Sequence, residues 1–153
     1  MPPSTELLQA LLDRATMLRR AGRVPEAIDA HEALLAAHPD LPDSWYHLGW
    51  LCQQAQRHER ALQAYREALA HGVRDPEEVH LNLAVILAEG LARPDDAAAE
   101  LQAALQRQPR YVPAWLNLGN LHEQRGDAAA AREAYTQVLA IEPGHAVALS
   151  RLP

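Results

Sequence analysis

The chain has 153 residues, 48% of them hydrophobic, and a formal net charge of −6. That is room for one domain or one repeat array, with no apolar run of the ~18 residues that a membrane-spanning helix needs. All 14 basic residues are arginine and are not clustered, which argues against nucleic acid and membrane surfaces as partners.

Alanine and leucine dominate, Phe is absent and β-branched residues are scarce, so the composition favours helices. The first residues, MPPSTELLQALLDR, lack the basic start and continuous apolar core of a secretory signal. Cys52 is the single cysteine, which excludes an intrachain disulfide framework and fits a reducing, cytoplasmic compartment.

In chain order, the first unit carries Leu11, Ala15, Gly22, Ala27, His31, Leu34 and Pro39. The second reads Trp45, Leu48, Gly49, Ala61, Tyr65 and Ala68. The third has His80, Leu83, Ala84, Leu101, Ala104 and Pro109, with an inter-helix segment AEGLARPDD one residue longer than its counterparts. It follows a stretched linker, HGVRDPEE (71–78), and the extra residue predicts an irregular hairpin. The fourth reads Trp115, Leu118, Gly119, Ala131, Tyr135, Val138 and Pro143. Units start near Leu8, Pro42, Glu77 and Val112, in steps of 34, 35 and 35 residues.

Within a unit, apolar residues recur at helical spacing, as in Leu48, Leu51, Cys52 and Ala55. Ala15, Gly49, Ala84 and Gly119 are small enough for two helices to approach closely, and Tyr65 and Tyr135 fill the gap. Gly22 and Gly126 suit a left-handed turn between helices, Asp127 suits a helix N-cap, and Pro25 and Pro94 suit a first helical turn. Pro39, Pro109 and Pro143 end the second helices. Trp45 and Trp115 read as packing residues.

A period of roughly 34 residues with this alternation of small and large residues resembles the tetratricopeptide repeat family, over about residues 8–143. The resemblance implies an all-α, right-handed superhelical solenoid of antiparallel helix pairs. The expected organisation is a single domain over 1–153, with repeats at about 8–41, 42–76, 77–111 and 112–145 and a short truncated helix at 146–152. That last helix has no partner helix and no polar outer face, so the chain is expected to be an excised module or to pack its open end on another copy.

The first helix of each repeat is expected to line a concave groove. By phase the groove receives Tyr46, His47 and Trp50 from the second repeat, Glu78, Asn82, Val85, Ala88 and Glu89 from the third, and Asn117, Asn120, Glu123 and Gln124 from the fourth. Asn82 and Asn117 share a position in successive repeats. A carboxamide can pair with any peptide backbone, so the two form either a short ladder for an extended chain or merely a solvated polar face. The ladder reading resembles, in part, the asparagine ladder in the repeat region of O-linked N-acetylglucosamine transferases. His47 and Asp13 stand where it would need asparagine in the earlier repeats. Trp50 is either a binding hot spot with Tyr46 or a packing residue. The family's carboxylate clamp needs lysine, and this chain has none. Glu78, Glu89 and Glu123 favour a neutral or basic ligand segment instead.

No H-E-x-x-H, Cys/His zinc set, phosphate loop or nucleophile elbow occurs, so no catalysis, metal or cofactor is expected. Asp95 and Asp96 suit a helix start rather than acid–base work. The expected function is a non-catalytic protein-interaction module that binds an extended peptide or partner helix. The peptide-binding residues are expected to be Asn82, Asn117, Asn120, Trp50, Tyr46, His47, Glu78, Glu89 and Glu123. The alternatives are an N-terminal substrate-selecting or oligomerising region of a larger bacterial-type transferase, and a scaffold that self-assembles into homo-oligomers through its open C-terminal end.

Overall fold

The structure is a computed structural model and describes residues 3–152. All its regular elements are helical: α1 (Pro3–Arg20), α2 (Val24–Ala37), α3 (Pro42–Gln54), α4 (His58–Ala70), α5 (Pro76–Val85) running into a π turn (Ile86–Gly90), α6 (Pro94–Arg107), α7 (Val112–Gln124), α8 (Ala128–Ile141) and α9 (Ala146–Arg151). α1 begins earlier than the repeat phase predicts, because nothing between Ser4 and Leu7 interrupts a helix.

The chain forms two compact units, divided between Arg74 and Asp75 inside the linker that the sequence marks as stretched. In the first unit α1 pairs with α2, α3 pairs with α4, and α2 packs on α3. In the second unit α5 pairs with α6, α7 pairs with α8, α6 packs on α7, and α9 packs on α8.

The turns between paired helices follow from one local device. Gly22 (φ 71°) and Gly126 (φ 77°) adopt the left-handed conformation. Around them Arg23 N–H donates to Leu18 and Asp127 N–H donates to His122, closing a Schellman motif that satisfies helix-end carbonyls. The second hairpin makes the same motif with Gln56 at φ 60°, and the third places Ala92 at φ 51°. In the third the extra residue is absorbed as the π turn, and Arg93 N–H reaches back six residues to Leu87 O. Asp127 Oδ1 accepts from Ala130 N–H at 3.0 Å, the expected N-cap.

The small-to-large pairing is steric. A Cβ on Gly49 would lie 2.7 Å from the Tyr65 ring, and one on Gly119 would lie 2.6 Å from the Tyr135 ring. Both tyrosines are essentially fully buried, and so are Ala61 and Ala131 on the facing helices. In the other two hairpins the small residue is Ala15 or Ala84, and the facing slot holds His31 or Leu101.

The tryptophans pack as expected and also tie repeats together. Trp45 Nε1–H donates to Pro39 O at 2.7 Å, and Trp115 Nε1–H donates to Pro109 O at 2.9 Å. His80, at the same position of the third hairpin, turns to Glu100 instead, Nδ1 to carboxylate at 2.6 Å. Arg60 spans from α4 to Glu32 of α2 through two hydrogen bonds, one of 2.7 Å, and stacks over Trp45 at 5.7 Å.

Candidate functional site

The second unit contains a pocket of about 380 Å³. α5 and the π turn supply Ala84, Val85, Ala88 and Glu89; α6 supplies Ala97 and Leu101; α7 supplies Asn117, Asn120, Leu121, Glu123 and Gln124; α9 supplies Arg151. Leu101 on its floor occupies the repeat position that Tyr65 and Tyr135 hold in the α3–α4 and α7–α8 hairpins. Leu101 is smaller than the tyrosine of the α7–α8 hairpin, and Ala84 and Ala97 line the pocket beside it. The π turn closes one side with Ala88 and Glu89.

The polar lining is partly committed. Asn117 Nδ2–H donates to Pro113 O at 2.8 Å, one turn back on its own helix, which leaves its Oδ1 and second N–H for another partner. Asn120 Oδ1 accepts from the Tyr135 hydroxyl at 2.8 Å, which leaves both its N–H groups exposed. Burial, with the Glu123 carboxylate close by, pushes the Tyr135 hydroxyl up to about 12. Glu123 accepts from Arg151 Nη1–H at 3.0 Å.

Asn117, Asn120, Glu89 and Glu123 thus meet in one place. Asn82 lies outside this lining, and Glu78 lies instead near Tyr111, whose hydroxyl is pushed up by burial and by neighbouring carboxylates, Glu78 first among them. Arg151 was missed. It sits 34 residues after Asn117, at the position that Asn82 and Asn117 occupy, so carrying the phase into the fifth helix would have found it.

Tyr46, His47 and Trp50 belong to the first unit and form a different environment. Tyr46 meets His47 edge-on at 5.5 Å and Tyr65 at 5.9 Å, and His47 lies 5.9 Å from the His31 ring. His31 is 2% exposed, and neither ring nitrogen has a hydrogen-bond partner among the described residues. Burial, then His47 and Arg19, lower its pKa to about 4, and burial with Arg19 lowers that of His47. Trp50 is 39% exposed.

A second, shallower cleft of about 500 Å³ lies in the second unit between α6, α7 and α8, against Leu105, Pro109, Trp115, Leu118 and His122. Gln102, Gln106 and Glu133 line it with His122, but it is more open and more apolar than the first pocket. Among the described residues no three His, Cys, Asp or Glu side chains are placed to hold a metal, and no helix is long and apolar enough to cross a membrane.

Residues 12–79 and 82–146 match the tetratricopeptide repeat family. Cellulose synthase operon protein C of Salmonella typhimurium is 28% identical over 177 aligned positions, covering 91% of this chain and 15% of that protein. The general transcriptional corepressor ssn6 of Schizosaccharomyces pombe is 26% identical over 136 positions, covering 89% of this chain and 9% of that protein. The chain therefore spans only a small part of the length of these relatives. Among solved structures, a MamA protein superposes with a TM-score of 0.86 at 22% identity, covering 97% of this chain and 80% of that one. YrrB, a tetratricopeptide repeat protein with an unusual peptide-binding site, superposes at 0.76 with 20% identity, covering 92% of this chain and 72% of that one. Similarity at these identities speaks to fold, and the fold, the hairpin turns and the matched residues agree: the chain belongs to the tetratricopeptide repeat family.

Proposed function

We propose that this protein is a non-catalytic interaction module that binds an extended peptide through the pocket of its second unit. The observation that carries this reading is the convergence of Asn117, Asn120, Glu89 and Glu123 on one pocket of about 380 Å³. Carboxamides pair with peptide backbone without regard to side chain, and the apolar floor of Ala84, Ala97 and Leu101 takes a side chain. The fold is that of a protein-binding scaffold, and the structural relative YrrB has a peptide-binding site.

The test is selection of a random dodecapeptide library on the wild-type protein and on Ala88→Arg, which fills the pocket from the π turn. Peptides enriched on the wild type should bind Ala88→Arg at least about tenfold more weakly, a loss of about 1.4 kcal/mol. Equal binding to both proteins, at equal helicity, contradicts the reading.

A second reading has its own observation. Val147 and Leu149 of α9 are 46% and 50% exposed, an apolar surface of the kind that a second copy covers. Self-assembly through α9 predicts a sedimentation mass that rises with concentration and returns to that of a monomer in Leu149→Glu. A concentration-independent mass of 16.9 kDa contradicts it.

A further inference from the structure

We infer that the pocket of the second unit takes a basic side chain of its peptide ligand, and that Arg151 holds that place in the free chain. The inference rests on the peptide-binding reading above and adds the chemistry of the side chain that is read.

The pocket's charged groups are Glu89, Glu123 and Arg151. Two carboxylates facing one cavity repel each other unless a cation lies between or beside them. Arg151 answers only half of that need. Its guanidinium donates to Glu123 at 3.0 Å, and Glu89 has no ion pair among the described residues. Arg151 also comes from the last turn of α9, a six-residue helix. A pair between side chains 49% and 33% exposed adds little.

The chain thus already seats a guanidinium at the pocket mouth, held by a weak tether. An incoming arginine satisfies Glu123 as Arg151 does, and its planar fork carries further N–H donors for Glu89, which lines the same pocket. Lysine would enter as a point charge and bind less well. The exposed N–H groups of Asn120 and the remaining donor and acceptor of Asn117 then take the ligand's backbone on either side of that residue. α9 acts as a tethered competitor: its arginine keeps Glu123 paired in the free protein and swings out when a ligand arrives.

The test uses the dodecapeptides selected on the wild type. They should share an arginine, or less often a lysine, at one fixed place. Replacing that arginine by citrulline, which keeps shape and removes charge, should weaken binding about tenfold or more. Glu89→Gln should weaken the arginine peptide and leave the citrulline peptide unchanged. Arg151→Gln should tighten the arginine peptide severalfold by removing the competitor.

The citrulline comparison needs no altered protein, so it stands even if a variant loosens α9. Arginine and citrulline peptides that bind equally, yet still lose affinity in Ala88→Arg, would overturn this inference and leave peptide binding in place. Peptides indifferent to Ala88→Arg, or no enrichment at all, would overturn both.

Discussion

The two compact units share a plan and depart from it at one slot. Each has one hairpin locked by glycine and tyrosine: Gly49 with Tyr65 in the first unit, Gly119 with Tyr135 in the second. Each also has a hairpin in which alanine replaces the glycine and the tyrosine slot holds something smaller. In the first unit that residue is His31, which fills the slot with a buried imidazole beside His47. In the second it is Leu101, which leaves space, and the neighbouring π turn sets Ala88 and Glu89 at the edge of that space. The same departure from the repeat's packing rule therefore gives a buried histidine in one unit and a pocket in the other. Irregular turns of this kind are common at functional sites, and here the irregularity and the pocket come from the same hairpin.

The largest expected effect separates the two units by pH. In the unfolded chain His31 protonates near its ordinary value of 6.5; in the folded chain it does so at about 4. The unfolded state therefore binds more protons between those values, so stability is complete above pH 6.5 and falls as the pH drops toward 4. The loss is on the order of 3 kcal/mol, reduced if the first unit relaxes around the charge. The groups facing the ring are Arg19 from α1 and His47 from α3, and Asp43 raises His47 in partial opposition. Denaturant unfolding at pH 7 and pH 4.5 should show this loss in the wild type and a flatter profile in His31→Leu. A wild-type profile as flat as that of the variant would remove the contrast between the units.

Next in size is the glycine lock. Gly119→Ala pushes a methyl group to 2.6 Å from Tyr135 and should cost about 1–3 kcal/mol of unfolding free energy. Adding Tyr135→Leu, which copies the α5–α6 pairing, should cost less than the two single changes summed, because the clash disappears with the ring. Additive losses in a double-mutant cycle would mean that the two residues do not constrain each other.

The pocket itself can be closed by importing the other solution. Ala84→Gly with Leu101→Tyr places a ring in the vacant slot. It should weaken selected peptides at least about tenfold, or about 1.4 kcal/mol by titration, while thermal stability is held. Unchanged affinity would separate the pocket from the slot. The smallest effect concerns the turns. Ala92 and Gln56 hold the left-handed conformation that Gly22 and Gly126 hold elsewhere. Ala92→Gly should therefore stabilise by about 0.5–1 kcal/mol, the relieved strain exceeding the entropy that glycine loses.

Much of this was legible in residues alone, because a repeat writes each constraint several times. The hairpin turns, the Asp127 cap, the close approach at Gly49 and Gly119 and the irregular third hairpin all follow from local chemistry. Phase also places Asn117, Asn120, Glu123 and Gln124 on one face of α7, and all four line the pocket. Three things were not legible. The pocket is floored by Leu101 where other repeats carry a ring, and an absent ring carries no motif. His31 looks like one more half-polar helical residue, and only the packing of α1, α2 and α3 around it strips both nitrogens of partners. Asn82 and Asn117 are equivalent by phase, yet only Asn117 lines the pocket, which also draws on α6 and α9.

The measurement that tests the central claim most directly is the backbone amide NMR spectrum of the labelled protein titrated with a peptide selected on the wild type. Peptide held in the second unit's pocket predicts shifts concentrated at Val85, Ala88, Glu89, Asn117, Asn120, Gln124 and Arg151. Shifts confined to α1–α4, or to the outer cleft around Leu105, Trp115 and His122, would contradict it.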